Sequence, residues 1–157
     1  MEREFGTSSG AANAECAPTW YIQEMNEDEL AVLSANDAFY RAFAEHDYRR
    51  MDELWASERS VSCIHPGWSP LLGRGPVMAS WHAILRSDRM MIEPTGARAF
   101  IAGDGAYVVC FEGAPGQTPM LVATNVFARE RGAWKMVHHQ AGQLSQPPEV
   151  VANGPSN

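Results

Sequence analysis

The stretch MLVATNVFARERGAWKMVHHQAG, Met120 to Gly142, decides the fold. Met120–Arg129 is apolar and β-branched, Glu130-Arg131-Gly132 is turn-forming, and Ala133–Gly142 is apolar again. The pattern predicts two long strands joined by a tight turn. Side chains alternate along a strand, so each strand has two faces. On the first, Leu121, Ala123, Asn125 and Phe127 share a face. On the second, Val137, His139 and Ala141 share one face, and Trp134, Met136, His138 and Gln140 the other. Asn125 and His139 thus interrupt apolar surfaces, which points to one wall of a small-molecule pocket.

Working outward, Gly103-Asp104-Gly105 marks a second hairpin, with Ala106–Glu112 as its returning strand. Tyr107, Val109 and Phe111 fall on one face of that strand, and Val108, Cys110 and Glu112 on the other. Residues 90–102 are extended but interrupted by Pro94 and Gly96. Upstream, Asn26 is a good helix cap with Glu29 at the capping-box position, and Glu27 and Asp28 suit the positive helix end. That helix is expected to run to about Glu45, with an apolar stripe of Val32, Ala35, Phe39, Ala42 and Phe43. Asp47 caps a second helix, Tyr48–Trp55. Val61–His65 is a short strand with Val61, Cys63 and His65 on one face, ended by Pro66-Gly67, and Leu71-Leu72 is its return. Pro76 suits the first position of a third helix that runs to about Ser87 and turns Val77, Trp81, Ile84 and Leu85 inward. Residues 1–25 and the proline-containing 143–157 are expected to be tails around one domain, 26–142.

Composition narrows the function. The chain has 157 residues, 45% of them hydrophobic and 20% charged, a balance that suits one globular domain. A net charge of −7 argues against nucleic acid or an anionic membrane as partner, since both need a basic surface. No apolar run approaches the ~20 residues of a membrane span. Three cysteines, Cys16, Cys63 and Cys110, without metal or disulfide spacing suit reduced thiols in the cytoplasm. No phosphate-binding glycine motif occurs around Arg74.

Helices followed by hairpin-linked strands indicate an α+β fold. A long antiparallel sheet twists, and wrapped around N-terminal helices it curls into a cone whose open end suits a ligand. The segments Ala35–Phe39 through Asp47, Cys63–Trp68, Gly73-Arg74, Trp81, Ala123–Phe127 and Trp134-x-x-Val137-His138-His139 together resemble the nuclear transport factor 2-like superfamily in its SnoaL-like branch. The resemblance covers about residues 26–142. It implies a homodimer joined through the outer sheet face, with Tyr107, Phe111, Trp134 and His138 outward. It sends Cys110, Glu112, Asn125, Phe127 and His139 toward the cavity.

That superfamily includes ketosteroid isomerase, which uses an Asp base with an oxyanion hole of a Tyr and a protonated Asp. Carried over by this resemblance, the base position before a proline falls on His65, before Pro66. The protonated Asp position falls on Asn125, two residues before Phe127, and the Tyr position on Phe39, which has no hydroxyl. A neutral His can accept a proton and an Asn amide can donate a hydrogen bond without a raised pKa. A missing oxyanion donor costs roughly 10²–10³ in rate. His65 and Asn125 are therefore the catalytic candidates, and Phe39, Phe43, Trp68, Trp81, Cys110, Glu112, Phe127 and His139 the ligand-lining ones.

Glu112, sent inward by the alternation, can pair with His139 or sit at the strand end without a role. His138 and His139 face opposite ways on a regular strand and cannot share one metal ion. His65, His139 and Glu112 form the one conceivable His₂-carboxylate set, yet no metal or cofactor is expected. Three functions follow: a dimeric domain binding a small, partly apolar organic molecule; a cofactor-independent isomerase, cyclase or dehydratase; or an assembly domain resembling the association domain of calmodulin-dependent kinase II, which has a similar Trp-x-x-Val-His ending.

Overall fold

The computed structural model describes residues 25–87 and 91–148. The expected tail 1–25, except Met25, falls outside them, with Cys16 and Trp20–Ile22; so do the last nine positions of the expected C-terminal tail. The elements are α1 (Glu27–Ala44), α2 (Tyr48–Leu54), β1 (Ser62–Ile64), β2 (Leu71–Leu72), α3 (Arg74–Leu85), β3 (Glu93–Ala102), β4 (Gly105–Gly113), β5 (Leu121–Glu130) and β6 (Ala133–Gln143). Six strands form one sheet in the order β2-β1-β6-β5-β4-β3. The sheet curves without closing and the helices lie against it, an α+β architecture as expected. It is mixed rather than wholly antiparallel: β1 runs parallel to β6, with Cys63 opposite His139.

Local chemistry explains the boundaries. Asn26 and Glu29 close the capping box at the start of α1, through bonds of 2.8 and 2.9 Å. Asp47 caps α2 by accepting from the Arg50 amide. α3 begins two residues before Pro76, so Pro76 is its third residue; its missing N–H is still one the first turn would leave unpaired. Arg74 is no phosphate ligand in this arrangement. Its guanidinium donates to the carbonyls of Asp52, Trp55 and Ala56, clasping the end of α2.

The region from Pro94 to Gly96 belongs to a continuous strand. β3 is the last strand of the sheet, where a proline costs no ladder bond. The register shifts between Thr95 and Arg98, with Gly96 at φ +63°, and pairing resumes through Ala102. At Gly113 a Cβ would approach Pro119 Cα to 2.9 Å, so the β4 end and the 114–119 loop fit only around glycine.

The organising hairpin departs from strict alternation at one place. β5 pairs Val126 with His138 but Phe127 with Met136, leaving Val137 unopposed as a bulge. The extra residue breaks the two-residue alternation once, so Trp134 and Met136 point into the core along with His139 and Ala141. The expected outward Trp134 is therefore a correction: it is only 8% exposed, under the Arg129 guanidinium at 4.5 Å. Tyr107 and Phe100 do lie on the outer face, each 38% exposed and stacked at 4.9 Å.

The core between helices and sheet holds Val32, Phe39, Met51, Trp55, Val77, Trp81, Val108, Phe127 and Met136. Glu130, buried at the end of β5, accepts from the Ser57 and Glu58 amides and the Ser57 hydroxyl, which ties the segment after α2 to the sheet. These bonds hold its carboxyl below the usual range. No described helix is long and apolar enough to cross a membrane.

Candidate functional site

Between α1, α3 and the inner sheet face lies a cavity of about 350 Å³. Its wall is mostly aromatic and aliphatic: Phe39, Phe43, Trp68, Trp81, Ile84, Ile92 and Leu121. Its polar members are Tyr40, His65, Glu112 and His139. Each arrives by a simple local rule. Phe39, Tyr40 and Phe43 share the inward side of α1; His65 directly follows β1; Glu112 and His139 sit at inward positions of β4 and β6. A larger depression of about 770 Å³ between α1 and β3 is shallow and open.

Trp81 is the hub of the wall. Its ring stands edge-to-face with Phe39 at 5.2 Å and with His65 at 4.8 Å, and lies 5.5 Å from His139. The two imidazoles are 6.3 Å apart between centroids. Trp68 packs against His65 at 5.0 Å while remaining 51% exposed, at the rim of the cavity.

Behind this wall runs a hydrogen-bond chain with a fixed direction. The Tyr40 hydroxyl donates to Glu112 Oε1 at 2.7 Å. Its oxygen therefore accepts from Asn125 Nδ2, at 3.2 Å, and from the Cys110 thiol, at 3.1 Å. Asn125 Nδ2 also donates to Asn36 Oδ1 at 2.8 Å. The amide is thereby oriented with its oxygen toward His139, whose Nδ1 lies 2.6 Å away. An amide oxygen only accepts, so His139 carries its proton on Nδ1. His139 Nε2 makes no hydrogen bond among the described residues, and the ring borders the cavity.

His65 is oriented by α3. The Ser80 hydroxyl donates to the Val77 carbonyl at 2.7 Å, so its oxygen receives the 2.9 Å bond from His65 Nε2–H. Cys63 Sγ lies 3.7 Å from one ring nitrogen and 3.9 Å from the other. With Nε2–H given to Ser80, Nδ1 is the ring's one lone-pair nitrogen, and its contact to the Cys63 sulfur is long, at 3.9 Å.

Burial sets the charge states. It pulls His65 down to about 4 and His139 down to about 3, the latter aided by neighbouring His65 and His138. Both are neutral at pH 7. Burial raises the Glu112 carboxyl above its ordinary range, and the Tyr40 bond partly offsets this. The Tyr40 phenol is pushed far up by burial and by Glu112. Burial lifts the thiols of Cys63 and Cys110 to about 12 and about 11, so neither is a nucleophile at neutral pH.

The candidates thus divide. Phe39, Phe43, His65, Trp68, Trp81, Glu112 and His139 come together around the cavity. Asn125, Cys110 and Phe127 lie deeper and do not border it. Asn125 spends its amide on Asn36, Tyr40 and His139. Of the two placements open to Glu112, the structure shows neither a pairing with His139 nor an idle strand end: it accepts from Tyr40. Among the described residues no three His, Cys, Asp or Glu side chains converge as a metal-ligand set. The sequence reading missed Tyr40, whose hydroxyl stands one residue after the Phe39 that lacks one, and Ser80. A signal existed: Asn36, Tyr40 and Phe43 recur at i, i+4 and i+7, a second inward row on α1.

Comparison with known proteins matches this geometry. The family model for the SnoaL-like domain matches residues 32–146. A crystal structure from Streptomyces avermitilis, provisionally named a dehydratase of the NTF2-like family, is 33% identical, with a TM-score of 0.67, over 76% of this chain and 97% of that one. A Thiobacillus denitrificans structure, provisionally named a calcium/calmodulin-dependent protein kinase type II association domain, is 32% identical, with a TM-score of 0.58, over 72% of this chain and 94% of that one. The F-box protein SKIP8 of Arabidopsis thaliana is 27% identical over 120 residues, 73% of this chain, which spans about half of that relative's length. With the cone-like sheet, the inward His65 and His139 and a family match over most of its length, the chain belongs to the SnoaL-like domain family of NTF2-like fold.

Proposed function

We propose that this domain binds a small, partly apolar organic molecule in the cavity between Trp81 and the inner sheet face. The observation that carries the reading is the cavity itself: about 350 Å³, walled by aromatic rings, with four convergent polar side chains. Binding fits better than base catalysis by His65. A conjugate acid near 4 makes a weak base, whereas an effective one lies near the working pH.

The test uses the full chain and the naphthalene-sized probe 2-naphthol, followed by tryptophan fluorescence. Saturable binding that is lost in Ile84→Trp, which fills the cavity, supports the reading. An absence of saturable binding, or binding unchanged in Ile84→Trp, sinks it.

A second reading, proton-transfer catalysis, is favoured by Glu112. This carboxyl borders the cavity, accepts a hydrogen bond from Tyr40 and has its pKa raised by burial, the direction that favours a proton-exchanging group. The role expected for His65 then passes to Glu112. In trials of small carbonyl and hydroxy compounds, turnover lost in Glu112→Gln but kept in His65→Gln supports this; the reverse restores His65.

The outer sheet face, with its stacked Phe100 and Tyr107, is the surface we assign to self-association. Solution mass decides between a dimer and a larger ring, and a monomer would refute both.

A further inference from the structure

The polar groups of the cavity are unequal in kind, and this bears on what it holds. The inference rests on the small-molecule reading above. His65 gives its only ring proton to Ser80 and lines the cavity, so Nδ1 is its one acceptor nitrogen. His139 gives its only ring proton to Asn125 and also lines the cavity, so its acceptor nitrogen is Nε2. Tyr40 gives its proton to Glu112 and has none to offer. The indole N–H of Trp81 is unpartnered, but it is sealed where no solvent-sized group reaches it. No lysine or arginine borders the cavity among the described residues.

We propose that the cavity takes an uncharged, largely apolar molecule that offers hydroxyl protons to His65 Nδ1 and His139 Nε2, and that it rejects carboxylates and phosphates. An acceptor facing an acceptor leaves both desolvated and unpaired, which is how polar sites exclude analogues that lack a proton. An anion meets no cation in this wall. The arrangement is the inverse of an oxyanion hole: it welcomes a hydroxyl and not a developing oxyanion.

The experiment compares three probes of one shape on the full chain at pH 7.5: 2-naphthol, 2-methoxynaphthalene and 2-naphthoate. 2-Naphthol is expected to bind at least about tenfold more tightly than 2-methoxynaphthalene, and 2-naphthoate not to saturate. Equal affinity of the naphthol and its methyl ether, or preference for the naphthoate, overturns the hydroxyl requirement while leaving the small-molecule reading in place. Failure of all three to bind overturns both. Ser80→Ala supplies an independent check, because it releases the His65 proton from Ser80. The naphthol preference is expected to shrink there, with an altered ring-nitrogen NMR signature for His65. An unchanged preference together with an unchanged signature overturns the assigned role of His65 Nδ1.

Discussion

His139 Nδ1 lies 2.6 Å from Asn125 Oδ1, and that bond decides which face of the imidazole meets the cavity. The amide is held in turn by Asn36 and Tyr40 on α1. A helix residue thus fixes the tautomer of a strand residue through an intermediate that never touches the cavity. In Asn125→Leu the His139 N–H and the Asn36 carbonyl oxygen are both buried and unpaired. Stability is expected to fall by about 2–4 kcal/mol in urea unfolding. Asn125→Asp is expected to raise the His139 pKa, read by NMR titration, because a carboxylate then faces the ring.

Acid sensitivity follows from the two histidines. Their folded pKa values, about 4 and about 3, lie below the ordinary 6.5. The stabilisation is full above 6.5, where both states are neutral. It is lost as pH falls from 6.5 through those folded values, because the unfolded chain takes up protons first. At pH 5 each is expected to have lost about 2 kcal/mol. Glu130, held below its usual range, adds a loss that begins lower, below about 4.5, as pH approaches its folded value. Glu112 opposes them, since its raised value favours the fold as protons bind. Urea unfolding at pH 7.5 and pH 5 checks the two histidines against Glu112, above the range where Glu130 contributes; equal stability at the two would mean that the imidazoles are hydrated in the fold.

Glu112→Gln separates charge from hydrogen bonding. A glutamine oxygen still accepts from Tyr40, while the desolvation of a carboxylate disappears. The variant is expected to be as stable as the parent at pH 8, or more so by about 1 kcal/mol. A loss of 2 kcal/mol or more would show that the carboxylate charge itself stabilises the pocket.

Arg74 holds three carbonyls at once: Asp52, Trp55 and Ala56. A lysine has one ammonium and no fork, so it cannot replace that grip. Arg74→Lys and Arg74→Ala are both expected to lose about 1.5–3 kcal/mol, with the lysine variant recovering less than half. Full rescue by lysine would show that the charge pairing with Asp52, at 3.0 Å, carries the effect instead.

Much of this was legible in the chain. The Asn26 and Glu29 pair announces α1, and the alternation around Asn125 and His139 announces the inner sheet face. Helix capping and two-residue periodicity are local rules, and local rules read well from sequence. What failed depended on neighbours far along the chain. Pro94 is harmless only because β3 has a strand on one side alone. Tyr40 became polar lining only because Glu112 and Asn125 lie across from it. The pairing of Glu112 with Tyr40, and not with His139, needed the register of three strands and the placement of a helix.

The bulge at Val137 makes β6 tolerant of a change in length at that one position. Remove Val137, and His138 takes the outward place after Met136 while His139 keeps its inward one. Trp134, Met136, His139 and Ala141 would then alternate without a break. At most points of a strand a one-residue deletion turns every later side chain to the wrong face; here it would restore perfect phase. The strand therefore contains one position at which a residue can be removed while its inward residues stay inward. What such a deletion would forfeit is the local twist that an unopposed residue adds, and with it some of the depth of the cone.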